Sequence, residues 1–148
     1  MKFISQSEQE TRDIAKKVAE KLNAGDVILF TGEMGAGKTA FTKGLSEYFG
    51  TTEEVSSPTF ALVNEYPAKY PNNVPIFHFD LYRIYGFDDL YAVGFFDYLD
   101  RGGIIVVEWS ENVPELENEL ENVIKIDIRK LPKNSDNERE IAISGKEF

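Results

Sequence analysis

Cysteine is absent from the 148 residues, which excludes disulfides and thiolate metal sites and fits a reducing compartment. No apolar run approaches the ~20 residues that a membrane-spanning helix needs. The opening stretch, MKFISQSEQETRD, has no apolar segment of the secretory-signal kind. A cytoplasmic protein without membrane contact is therefore expected. Positive charge is also scarce: 16 Lys and Arg face 26 Asp and Glu, for a formal charge of −10. A chain that grips phosphate backbones by itself usually presents a basic face. Any RNA would accordingly be engaged only indirectly, through a partner. A guanine-reading N-K-x-D motif is missing, which argues against a GTPase switch. The five arginines are scattered, with no basic lid of the kind that a metabolite kinase uses.

What remains is the composition of an ordinary globular chain, 42% hydrophobic and 28% charged, of a length that suits one domain spanning residues 1–148. Ser7 to Leu22 reads as an amphipathic helix, opened by a Ser7–Glu10 capping box, with Ile14, Val18 and Leu22 on one face. Val27 to Phe30 is apolar without alternation, as in a strand buried on both faces. After a glycine-rich turn, Lys38 to Phe49 resumes helical spacing and stops at Gly50. Phe60 to Tyr66 and Ile76 to Asp80 read as strands paired across a long connection. Phe87 to Leu99 reads as a helix rich in aromatics, and Ile104 to Val107 as another buried strand ending at Glu108. Two alternating stretches, Val123 to Ile128 and Glu140 to Ile143, predict a closing hairpin.

The turn between the first buried strand and its helix carries the chemistry. Gly32–Glu33–Met34–Gly35–Ala36–Gly37–Lys38–Thr39 matches G-x-x-x-x-G-K-[ST]. Average residue frequencies put a chance match at roughly 0.5%, and the strand-before, helix-after context lowers that further. Glycines let successive backbone N–H groups curl around phosphate oxygens, and the helix N-terminus adds its dipole. Lys38 supplies a point charge for β- and γ-phosphates, and Thr39 a hydroxyl for Mg²⁺. Such a loop needs a carboxylate on a neighbouring strand end. Glu108 follows four apolar residues and is assigned to the metal; Asp80 would act through water or help align the attacking water. Lys38, Asp80 and Glu108 are thus the expected catalytic groups, and Thr39 and Glu108 the metal ligands.

Other residues have a bland reading beside a functional one. His78, the sole histidine, is read as a satisfied strand residue rather than a phosphate sensor. Arg83 is an internal arginine finger or a surface ion pair. Ser57 and Thr59 lie in a segment that reads equally as a switch loop or an ordinary turn. Trp109 is read as core filling, and Phe87, Tyr91, Phe95, Phe96 and Tyr98 as burial against the sheet. Glutamates 115, 117, 119 and 121 read as a solvated edge.

The blocks GEMGAGKTAFTKGL, SSPTFALVNEY, HFDLYR and VVEWSE, in this order from Gly32 to Glu111, resemble the TsaE family, the bacterial ATPase subunit of tRNA threonylcarbamoyladenosine biosynthesis. The resemblance implies an α/β, P-loop NTPase-type three-layer domain with a mostly parallel central sheet and a C-terminal antiparallel hairpin. It implies slow hydrolysis of ATP to ADP with Mg²⁺, beside two protein partners of the threonylcarbamoyl-transferase complex acting on adenosine 37. It also implies phosphate contacts from Gly32, Gly35, Ala36, Gly37, Lys38, Thr39 and Ala40, a role for Asp80 in HFDLYR, and closure of the segment near Glu8 over the nucleotide. The chain departs from the family at Glu33–Met34, usually Asp-Leu, and at Ala40, usually a second Thr. The alternative function on the same loop is a small-molecule or nucleotide kinase.

Overall fold

Strands without polar alternation must be covered on both faces, and the arrangement of elements supplies that cover. The computed structural model describes residues 1–33, 37–51, 54–56, 58, 62–69, 72–131, 137–145 and 148. In chain order its elements are β1 (Lys2–Ser5), α1 (Glu8–Ala19), β2 (Val27–Thr31), α2 (Lys38–Phe49), β3 (Val63–Tyr66), β4 (Ile76–Asp80), α3 (Phe87–Ala92), β5 (Ile104–Glu108), α4 (Leu116–Glu119), β6 (Val123–Lys130) and β7 (Arg139–Ser144). Short 3₁₀ turns cover Phe95–Asp100 and Ser110–Asn112.

The seven strands form one sheet in the order β1-β7-β6-β2-β5-β4-β3. The central four, β6, β2, β5 and β4, pair in parallel, while β3, β7 and β1 join antiparallel at the edges. The expected parallel centre and C-terminal hairpin are both present. β1 escaped the sequence reading: it is short, and its partner β7 lies at the far end of the chain.

Each face of the sheet has its own apolar layer. On one side α1 and α2 cover Ile28 and Phe30 of β2, Val106 of β5 and Ile124 and Ile126 of β6. On the other, Leu90, Phe95, Val113 and Leu116 cover Leu29, Phe79 and Val107. The result is three layers. Burying Phe41 and Leu45 of α2 contributes about 2 kcal/mol each. Ser7 caps α1 by accepting from the Glu10 N–H, but the Glu10 carboxylate returns to the Gln6 N–H rather than to that of Ser7.

The helix expected over Phe87 to Leu99 is broken. Gly94 adopts φ 84, a left-handed conformation that ends α3, and the chain restarts as a 3₁₀ turn. The break turns the aromatics inward: Phe79 meets Phe95 at 4.8 Å and Tyr98 at 5.0 Å, both edge-on. Phe87 and Phe96 pack partly under this layer, whereas Tyr91 stays exposed and departs from the burial expected of it. The four glutamates 115, 117, 119 and 121 are exposed, as the solvated-edge reading holds. No helix among the described residues is long and apolar enough to cross a membrane.

Candidate functional site

Parallel strands deliver the residues that follow them to one edge of the sheet, and that edge is where α/β sheets place ligand-binding groups. β2 ends at Thr31, whose hydroxyl donates to the Asp127 carboxylate of β6 at 2.7 Å. Gly32 follows with φ 121, and a Cβ there would fall on the carbonyl oxygen of Ile128. Only glycine fits, for both reasons. The motif therefore leaves β2 by a turn that its first residue type requires. Met34, Gly35 and Ala36 lie outside the described residues. Gly37, at φ 117, is the N-cap of α2, and its carbonyl accepts from the Phe41 N–H at 2.9 Å. Lys38, Thr39 and Ala40 form the first helical turn.

Lys38 is only 7% exposed. Its ammonium sits 5.6 Å from the centre of the Trp109 ring, within cation–π range. Trp109 itself is half-buried, holds a non-glycine φ of 60, and meets the Tyr82 ring edge-on at 5.0 Å. As expected it packs against the core, though only partly buried, and it also borders Lys38. Its left-handed backbone is a conformation that bulky residues seldom hold outside functional turns.

The two carboxylates end adjacent strands in register, Asp80 opposite Glu108. Alternation turns both toward the face that α2 covers, the side on which Val106 packs. Their environments differ. Glu108 is 8% exposed, with Oε2 2.6 Å from His78 Nε2. Asp80 is half-buried and accepts from the Tyr82 N–H at 2.9 Å. Burial pushes the Asp80 carboxyl above the usual carboxylate range; the bond from Tyr82 opposes this, Glu108 adds to it, and nearby His78 and Lys38 lower it. Lys38, Asp80 and Glu108 thus come from three elements to one neighbourhood.

His78 is fully buried with both ring nitrogens engaged, Nδ1 lying 2.9 Å from the Tyr66 hydroxyl. The bland reading of a satisfied strand histidine holds. Arg83 is exposed in the turn beyond Asp80. Glu8 is also exposed, and reaches Lys43 of α2 at 3.6 Å. One turn later Thr11 brings its methyl within 4.0 Å of where a Cβ on Gly37 would stand, so the start of α1 borders the loop. The hydroxyls of Ser5 and Thr11 share a hydrogen bond of 2.7 Å there. Sequence spacing held no sign of Thr11 or of Tyr66, since both reach the site through sheet and helix packing. Ser57 and Thr59 lie outside the described residues.

The comparisons with known proteins agree with this architecture. Residues 5–141 match the family model described as threonylcarbamoyl adenosine biosynthesis protein TsaE. A protein of Rickettsia conorii named tRNA threonylcarbamoyladenosine biosynthesis protein TsaE is 40% identical over 111 residues, 74% of this chain and 61% of that protein, so the chain spans about three fifths of that relative's length. The protein of that name in Bacillus subtilis is 36% identical over 146 residues, covering 97% of this chain and 85% of the relative. The crystal structure of YdiB from Bacillus subtilis superposes with a TM-score of 0.70 at 31% identity, covering 97% of this chain and 83% of that one. By family model, relatives and architecture together, this chain belongs to the TsaE family.

Proposed function

We propose that this chain binds ATP and ADP with Mg²⁺ in a P-loop formed by Gly32 to Thr39, hydrolyses ATP slowly, and so drives a tRNA-modifying assembly through its cycle. The observation that carries the reading is the convergence of Lys38, Asp80 and Glu108, from α2, β4 and β5, beside the loop that leaves β2. Its relatives are named for threonylcarbamoyladenosine biosynthesis on tRNA, and this chain would serve the same modification, at adenosine 37.

The residues fit the group they would hold. Thr39 and Glu108 offer hard oxygen donors, which suit Mg²⁺. Among the described residues no cluster of three or more His, Asp or Glu converges to hold an ion alone. A nucleotide's phosphates and water would complete the shell, as is usual for this ion. Bound Mg²⁺, held by Thr39 and Glu108, would supply positive charge against that of the phosphates. Gly32 leaves the space that the loop's backbone needs, Gly37 and Ala40 would border the phosphates, and the motif assigns Gly35 and Ala36, outside the described residues, to the same role. Lys38, already partly desolvated, directs its ammonium to the transferred phosphoryl group. Asp80, raised toward the working pH by burial, accepts or steers the proton of the attacking water. Glu8 sits on the helix end that borders the loop, where it would meet the bound nucleotide.

The charge balance supports a protein-mediated role. With a formal charge of −10 the chain is poorly suited to hold tRNA itself, so tRNA would be reached indirectly, through two protein partners of the transferase complex. The test is phosphate release from ATP and Mg²⁺, with and without those partners, with Lys38→Ala as the control. Slow release that rises with the partners and vanishes in the variant is expected. Steady phosphoryl transfer to a metabolite, indifferent to partners, would move the chain to the kinase class.

A further inference from the structure

A chain of hydrogen bonds leads from the buried Glu108–His78 pair out to the exposed Ser56, and the proposed hydrolysis does not use it. His78 Nε2 faces Glu108 Oε2 at 2.6 Å, and His78 Nδ1 faces the Tyr66 hydroxyl at 2.9 Å. That hydroxyl donates to the Ser56 carbonyl at 2.8 Å and accepts from the Ser56 N–H at 3.2 Å. Asn64 Nδ2 donates to the same carbonyl at 2.9 Å. Val55 and Pro58, on either side, are buried. The links join residues 30, 12 and 10 positions apart, so none follows from local chain geometry.

We infer that Tyr66 and His78 couple the segment around Ser56 to the Glu108 carboxylate, so that the position of that segment sets how Glu108 is held. The inference rests on the proposed role of Glu108 at the metal. Burial pushes the Tyr66 phenol up, which keeps it a neutral hydroxyl with one hydrogen. Two acceptors lie in its reach, the Ser56 carbonyl and His78 Nδ1. Drawing Ser56 away turns that hydrogen toward Nδ1, and the altered bond at Nδ1 changes how Nε2 meets the Glu108 carboxylate. His78 and Tyr66 are positioning residues, acting through Glu108 rather than on the nucleotide. A partner that presses on the segment at Ser56 would thereby reach the metal site without touching it.

His78 is the only histidine, so its ring nitrogens give unambiguous ¹⁵N signals in the full chain. Tyr66→Phe keeps the ring and removes the hydroxyl. The expected result without nucleotide is that Tyr66→Phe moves the Nε2 signal, which faces Glu108, as well as Nδ1. An unmoved Nε2 signal would overturn the coupling, whatever the nucleotide experiments show. With ATP and Mg²⁺, Tyr66→Phe should lower turnover roughly two- to tenfold, the size of one lost hydrogen bond, and shift the Mg²⁺ midpoint. ADP affinity without Mg²⁺ should stay the same, and the midpoint shift should vanish in a Glu108→Ala background. A shift that persists there would also overturn the coupling. Should Tyr66→Phe fold poorly, Asn64→Ala removes the amide that donates to the Ser56 carbonyl, and must move the same signals by a smaller amount. If the Nε2 signal responds yet calorimetry finds no binding of ADP with Mg²⁺, the coupling stands and the nucleotide reading falls.

Discussion

Buried charge occurs at both ends of the parallel strands, and the two ends satisfy it differently. Below β2, Asp26 is 3% exposed and accepts from the Asn23 N–H at 2.8 Å, three residues away. The Asp26 N–H returns to the Asn23 carbonyl at 3.0 Å. At that end the carboxylate accepts from within its own turn, while the backbone is tied to its neighbours, the Asp26 carbonyl accepting from the Ile105 N–H at 3.0 Å. Above the strands, Lys38, His78, Asp80 and Glu108 are buried or half-buried groups from three elements, α2, β4 and β5, beside a non-glycine left-handed residue. A buried acid served by its own chain neighbours stabilises a turn. Acids gathered with a cation from distant segments have restrained geometry, and Asp80 among them has its pKa raised by burial, which is what a reaction site needs.

The contrast can be sharpened or broken by substitution. Gly32→Ala, at the upper end, forces a side chain onto the Ile128 carbonyl at φ 121. It should cost on the order of 3 kcal/mol, read by denaturant unfolding, and remove nucleotide binding with it. Asp26→Ala, at the lower end, leaves the Asn23 N–H without its carboxylate and should cost about 1–2 kcal/mol while turnover per folded molecule stays unchanged. A loss of turnover there would break the distinction between the two ends.

Asp80→Asn gives a smaller effect with a defined sign. A carboxyl whose pKa is raised on folding binds more protons in the native state, so its charge costs stability once pH exceeds the ordinary carboxylate range. Removing that charge should raise the melting temperature at neutral pH. The gain should shrink as pH falls through the raised Asp80 value and vanish below the unfolded one. A gain that is independent of pH would show that burial of the charge is not its source. Smallest of all, Ala40→Thr adds a hydroxyl in the first turn of α2 and should tighten ADP binding by about two- to fivefold in calorimetry.

Much of the upper end was legible in the residues. β2, α2 and β5 could be placed because uninterrupted apolar runs and punctuating glycines leave few alternatives, β4 despite His78 within its run, and the motif names its own lysine and threonine. Glu108 and Asp80 were legible as strand ends, but not that the sheet would set them in register. The Tyr66–His78 link was not legible, because a bond between side chains of neighbouring strands depends on register rather than on spacing. β1 was hidden for the same reason. The break at Gly94 had a local signal, but the aromatic periodicity on both sides of it outweighed a single glycine. Trp109 was read as core because its type is usually buried, while its backbone angle comes from the turn after β5.

The central claim is that Glu108 serves the metal and Asp80 the water, and the measurement that bears on it most directly is the affinity for a non-hydrolysable ATP analogue with and without Mg²⁺. Glu108→Ala should abolish the tightening that Mg²⁺ confers. Asp80→Ala should keep that tightening and slow ATP hydrolysis by on the order of 100-fold. The reverse pattern, with Mg²⁺ dependence lost at Asp80 and kept at Glu108, would contradict the assignment.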